Sequence, residues 1–143
     1  AYVPVKPKFP AAAKKQTDAG AVAFAEYYWE AVNFAVTQPD ANILTPLSDA
    51  ECQLCTRHKE LASELVETRT RFDRRMLQVK ESSIVVSTPN DIRVQTLLNL
   101  LSAKRVGGDG SSKDKQDPGP GNFIFKLVWT GSSWKVKILG DAG

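Results

Sequence analysis

The chain has 143 residues, 42% of them hydrophobic and 24% charged, with a formal net charge of +3. That length suits one domain with a real core, since a chain of this size buries roughly 68–70% of its unfolded surface. The charge is too small and too dispersed for a nucleic-acid partner, which needs Lys and Arg gathered on one face. Arg57, Lys59, Arg69, Arg71, Arg74 and Arg75 are instead interleaved with Glu60, Glu64, Glu67 and Asp73, the pattern of a solvated helix with paired charges. No apolar run approaches the ~18 residues of a membrane span. The chain begins at Ala1 rather than Met, as a mature form stripped of its targeting segment would.

Residues 1–10, AYVPVKPKFP, hold three prolines and two lysines without periodicity, and read as an extended tether. A single domain is expected over residues 11–143. Its organising stretch is residues 14–37. On a helix, Ala21, Val22, Phe24, Ala25, Tyr28, Trp29, Ala31, Val32, Ala35 and Val36 share an uncharged arc of about 180°. Glu26, Glu30, Asn33 and Thr37 fall opposite, and Tyr27 and Phe34 form a second, narrower strip. An apolar face this wide suits the hollow of a curved sheet better than one neighbouring helix. The helix should stop ahead of Pro39, because the residue before a proline is pushed out of helical geometry.

Residues 42–47 allow one short turn. Ser48-Asp49-Ala50-Glu51 then reads as a capping box that opens a second helix. Leu54, His58, Leu61, Ala62, Leu65 and Phe72 follow helical spacing, and the helix is expected to end near residues 69–72. From Met76 the period becomes two. A first strand carries Leu77, Val79 and Ile84 to Val86, with an irregularity near Glu81-Ser82. Thr88-Pro89-Asn90-Asp91 is a turn with proline at its second position. Residues 92–106 are expected as one long central strand, with Leu97 and Leu101 pointing away from Ile92, Val94, Leu98 and Leu100.

Residues 107–121, GGDGSSKDKQDPGPG, read as a flexible spacer loop. Its GGDGSSK lacks the Gly-Lys-Ser/Thr end of a phosphate loop, and Pro118 and Pro120 deny it the following helix. The last two strands form a hairpin around Gly131-Ser132, with glycine first as a type II′ turn requires. The expected register sets Trp129 opposite Trp134, Leu127 opposite Val136, Phe125 opposite Ile138 and Lys126 opposite Lys137. The fold class is therefore α+β, a long N-terminal helix and a second helix packed on a curved four-stranded antiparallel sheet.

Few residues could carry chemistry. Cys52 and Cys55, three apart, admit a structural disulfide, a redox pair or part of a metal site. A redox pair is disfavoured by the missing βαβ context. A zinc site is short of ligands, since Cys52, Cys55 and His58 make three at best. The disulfide is the first reading. His58, the sole histidine, lies on the apolar stripe with no nucleophile to build a triad around. Tyr27, Tyr28, Trp29 and Phe34, with Phe125, Trp129 and Trp134, could line a cavity or present a partner surface. Aromatic stripes at helical spacing more often belong to the core. Glu26 and Glu30 point outward, which weakens any acid–base role. No catalytic residue, metal or cofactor is assigned.

The stretches KKQTDAGAVAFAEYYWEAVNFAVTQPD and LSDAECQLC, followed by a four-stranded meander ending SWKVKILG, resemble a family of uncharacterised actinobacterial lipoproteins. The resemblance implies a nuclear transport factor 2-like domain, a cone of helices against a curved sheet. It also implies export to an oxidising location and a lipid anchor on a cysteine upstream of Ala1, the only contact with a membrane. It implies no activity. The first expectation is a non-enzymatic domain, lipid-anchored or secreted, that binds a protein or a cell-envelope component. The alternatives are a small-molecule-binding or isomerase/cyclase-type enzyme using the cone cavity, and a scaffold subunit of an export machine. A homodimer is left open.

Overall fold

The computed structural model describes residues 2–108 and 114–143. Among these residues two α-helices, α1 (Asp18–Thr37) and α2 (Gln53–Thr68), precede seven strands. These are β1 (Thr70–Phe72), β2 (Leu77–Thr88), β3 (Asp91–Leu100), β4 (Ala103–Gly107), β5 (Lys115–Gln116), β6 (Gly119–Trp129) and β7 (Trp134–Asp141). The architecture is α+β, with two antiparallel sheets. The larger is the meander β2-β3-β6-β7; a small one has the order β1-β4-β5.

Helix α1 forms where its apolar arc lies. Thr17 caps it by accepting from the Gly20 amide at 2.9 Å, satisfying a donor that the first turn leaves open. Thr37 ends it two residues before Pro39. Phe24, Tyr28, Trp29, Ala25, Ala35 and Val36 are all at most 2% exposed. All but Val36 meet Val94, Leu98, Phe125, Leu127, Val136 and Leu139 from the sheet in one core. Phe9, within the expected tether, packs edge-on to Phe24 and Tyr27, with ring centroids 6.3 and 4.9 Å apart.

The burial of α1 reaches further round than its apolar arc. Asn33 and Thr37, expected on the outer side, are buried at 2% and 0% exposure. A second small cluster of Val36, Leu65, Phe72 and Ala103 closes over the C-terminal end of the helix. Burial of these polar groups is tolerable because they are bonded. Asn33 Nδ2 donates to the Leu77 carbonyl at 3.0 Å, while its Oδ1 accepts from the Met76 and Leu77 amides at 3.0 and 3.2 Å. Thr37 donates back to the Asn33 carbonyl at 2.7 Å.

Helix α2 begins later than the capping box predicts. Asp49 N donates to the Val136 carbonyl at 3.1 Å, and Ser48 forms a parallel bridge with Val136. That pairing draws Ser48 onto the edge of β7 and away from the helix. Its buried hydroxyl has no hydrogen-bond partner among the described residues. Cys52 becomes the cap, its sulfur accepting from the Cys55 amide at 3.2 Å. The helix ends at Thr68, with Arg69 in left-handed geometry at φ 57°.

Strand β2 carries register shifts between Val79 and Glu81 and between Ile84 and Val86, the first near the expected irregularity. The Pro89-Asn90 turn joins β2 to β3, with Thr88 paired to Asp91. The long strand expected over residues 92–106 is instead two strands. Leu100 is paired with Leu77 on one side and Gly119 on the other. Both partners begin there, so beyond Leu100 the chain has no neighbour in the main sheet. It bends at Leu101-Ser102 and continues as β4, which pairs with β1 and β5.

The expected spacer loop carries strand structure at both ends. Gly107 closes β4, Lys115–Gln116 is β5, and Gly119 opens β6; residues 109–113 lie outside the described residues. Pro120 is accommodated in β6 because it pairs with Asn99 on one side while β7 reaches no further than Phe123 on the other. In the final hairpin the pairs Trp129–Trp134 and Leu127–Val136 are as expected, and Gly131 has φ 97°. A bulge then makes Lys137 the extra residue, so Phe125 faces Leu139 and Lys126 faces Ile138. Lys137 Nζ lies 3.5 Å from Glu51 Oε2. Ile138 turns out to 50% exposure while Leu139 is 5% exposed.

Replacing Asn33 by Leu should test the polar seat of α1. The change strands the buried Leu77 amide and carbonyl and the partly buried Met76 amide, so unfolding free energy should fall by about 3 kcal/mol in a denaturant titration. A loss under about 1 kcal/mol would show that these bonds do not hold the helix to β2.

Candidate functional site

The space between α1 and the sheet is occupied by aromatic rings. Tyr28 and Trp29 lie in T-shaped contact 5.6 Å apart, each also 5.6 Å from Phe125. Trp29 meets Phe123 at 5.2 Å. The Trp29 indole N–H donates to Thr96 Oγ1 at 3.0 Å, and Thr96 is wholly buried. The interior is thus closed by edge-to-face packing, with each polar tip given a partner.

His58 reaches this interior from α2. Its Nδ1 lies 2.7 Å from the Tyr28 hydroxyl oxygen, and its ring is 5.9 Å from that of Trp29. Burial among these rings lowers the imidazole pKa from 6.5 to about 4 and raises that of Tyr28. At neutral pH the pair is therefore an uncharged imidazole and an uncharged phenol joined by one hydrogen bond. Cys52 and Cys55 form a disulfide, with Cα atoms 5.2 Å apart and both residues fully buried.

The remaining aromatic candidates separate. Tyr27 is half-buried against Phe9, and burial raises its pKa. Phe34 is half-buried at the rim of the core. Trp129 and Trp134 meet edge to face at 5.2 Å and line a cleft of about 510 Å³. The Trp134 indole N–H donates to the Lys15 carbonyl at 3.0 Å, which fixes the ring. Gln16 and Asp18 at the start of α1 face the same cleft, with Asn90 from the β2–β3 turn. Asp18 Oδ1 accepts from Ser87 Oγ at 2.8 Å, clamping the turn to the helix. Two further clefts, of about 400 and 590 Å³, lie beside Leu98 and Phe123 and beside Tyr2 and Arg74. Neither combines an aromatic pair with polar groups.

Gln16, Asp18 and Asn90 were not singled out from the sequence. Gln16 and Asp18 are far in the chain from Asn90, and only the hairpin register brings the tryptophans beneath them. Glu26 is likewise not free of the sheet, since it accepts from Ser82 Oγ at 2.7 Å. Among the described residues no group of three or more His, Cys, Asp or Glu side chains could hold a metal ion. No helix among them is long and apolar enough to cross a membrane.

Acid should weaken the fold through His58. The unfolded chain takes up this proton near pH 6.5, the folded one only near 4. Between those values the unfolded state binds more protons, so stability falls as pH drops through the window and levels off below it. The loss due to this residue should approach about 3 kcal/mol, and His58→Gln should flatten that limb of a stability-versus-pH curve. An unchanged limb would place the charge-sensitive group elsewhere. The disulfide closes a very short loop, so its constraint on the unfolded chain is small. Cys52→Ser combined with Cys55→Ser, which keeps a capping hydroxyl at residue 52, should lower stability by no more than about 2 kcal/mol. Thermal unfolding of the double variant reads this directly.

The fold has a counterpart among solved structures. The crystal structure of the intermembrane space region of chloroplast protein ARC6 superposes with a TM-score of 0.62, covering 89% of this chain and 97% of that one. Identity is 12%, so the likeness concerns the fold alone. No curated protein sequence matches the chain. A family profile described as "Family of unknown function (DUF6318)" matches residues 3–139. The chain belongs to that family.

Proposed function

We propose that the chain is a non-enzymatic binding domain of nuclear transport factor 2-like build, held at the outer face of a cell membrane by an N-terminal lipid anchor. Its partner is a protein or a component of the cell envelope. The observation that carries this reading is the filled interior. Enzymes that work inside a cone of helices and sheet need open space next to an inward acid or base. Here Tyr28, Trp29 and Phe125 occupy that position. His58, which reaches the same interior, is held by Tyr28 and uncharged at neutral pH. Space for a ligand lies at the surface, over Trp129 and Trp134.

The buried Cys52–Cys55 disulfide supports an oxidising location, since such bonds are rare in reducing cytosol. The lipoprotein assignment rests on the resemblance of the Ala-Gly-x-x-Ala-Phe-x-x-Tyr-Tyr and Ser-Asp-x-x-Cys-x-x-Cys stretches. The full-length protein, expressed in its own cells, should sediment with membranes and be cut by protease added outside. Blocking lipoprotein maturation should release it from the membrane fraction. Recovery in the cytosol with both thiols free would overturn the reading.

A further inference from the structure

We propose that the Trp129–Trp134 cleft is a saccharide-binding site that takes a neutral pyranose unit of an envelope glycan. The proposal rests on the binding-domain reading and names its ligand. Three features of the cleft converge. Its volume, about 510 Å³, lies within the ~300–1,000 Å³ typical of small-ligand sites. Its apolar part is the Trp129–Trp134 pair set among Pro89, Ile92, Leu127 and Val128, with Trp134 locked by its bond to the Lys15 carbonyl. Its polar part is a set of groups left open. Among the described residues the Gln16 and Asn90 amides have no hydrogen-bond partner, and Asp18 uses one oxygen on Ser87.

A pyranose ring matches that division. It offers an apolar face of C–H bonds to an indole and a rim of hydroxyls that both donate and accept. Side-chain amides can donate and accept at once, and a carboxylate oxygen can take a hydroxyl proton. Charge narrows the class. No Lys or Arg side chain lines the cleft, and Asp18 does, so a phosphate or uronate would be repelled and left unpaired. A purely apolar ligand would bury the amides and the carboxylate without partners. Neutral sugars, N-acetylated ones included, satisfy both demands.

The test uses the whole chain in intrinsic tryptophan fluorescence and isothermal titration against chitotriose, cellotriose and maltotriose. At least one should give a saturable change with a dissociation constant of roughly millimolar or tighter. Trp129→Ala should weaken it at least about tenfold. Because that change also touches the hairpin, Asn90→Ala and Gln16→Ala, at exposed positions, serve as second variants. They should each weaken binding severalfold with circular dichroism and melting unchanged. Saturable binding that the Asn90 and Gln16 variants leave intact would overturn the assignment of the site, as would no saturable binding of any trisaccharide. Specific binding of a peptide in this cleft would sink the saccharide while leaving the binding-domain reading standing. Cleavage of a bound trisaccharide would instead keep the site and overturn the non-enzymatic reading.

Discussion

The fold depends on one demand, the burial of α1 on more sides than a flat sheet could cover. Twelve of its twenty residues are buried, and they lie beyond the apolar arc. A single sheet face can satisfy about half a helix circumference. The remainder is covered by α2 on one flank and by the small β1-β4-β5 sheet at the C-terminal end. The second sheet is thus a consequence of the helix. β3 outruns its partners at Leu100, and the freed chain turns back as β4 to help close over Val36 with Leu65 and Phe72. Arg105 on β4 then ties this layer to α2, donating to Thr68 and Thr70 at 3.0 and 2.9 Å and pairing with Asp114 at 3.0 Å.

How much of this could be read from residues alone follows from the range of each signal. Local periodicity carried the helix from its apolar arc, the stop at Pro39, the β2–β3 turn and the first pairs of the last hairpin. Signals that depend on a distant partner were read wrongly. Ser48 carries a strong local capping pattern, yet Val136 offers it a strand edge, and the tertiary contact prevails. Asn33 looks like a solvent residue by type, and only the start of β2 supplies the backbone groups that make its burial favourable. Ile138 is a better core residue than its neighbours by hydropathy, but a bulge at Lys137 hands its place to Leu139. The glycine- and proline-rich composition of residues 107–121 hides strand pairing, because backbone hydrogen bonds leave little trace in side-chain type.

The interior and the surface divide the candidate residues by physical role. Tyr28, Trp29 and His58 form an uncharged network in which the Tyr28 hydroxyl, His58 Nδ1 and the Trp29 indole N–H are each hydrogen-bonded. Such a network is costly to open, since exposing the space means breaking ring packing and hydrogen bonds together. The disulfide reinforces the same side of the domain. It fixes the first turn of α2, and with it the approach of His58 to Tyr28.

The cleft is built on different terms. Its tryptophans sit at the end of the main sheet, where the β6–β7 hairpin, the β2–β3 turn and the start of α1 meet. Turns on a rigid scaffold can vary without disturbing the core, which is why such places commonly carry recognition. Rigidity matters as much as position. Indoles have two side-chain torsions, and those of Trp134 are already held by the Lys15 carbonyl and by Trp129. A ligand that lands on them orders little that was free, so less of its contact energy is lost to side-chain entropy. The Asp18–Ser87 bond holds the opposing walls together in the same way. Trp134 therefore belongs to two structures at once: it completes the core beneath α1 and floors the cleft above it. That double use ties the shape of the cleft to the seating of α1, since the segment leading into the helix supplies the Lys15 carbonyl and its first turn the carboxylate of Asp18.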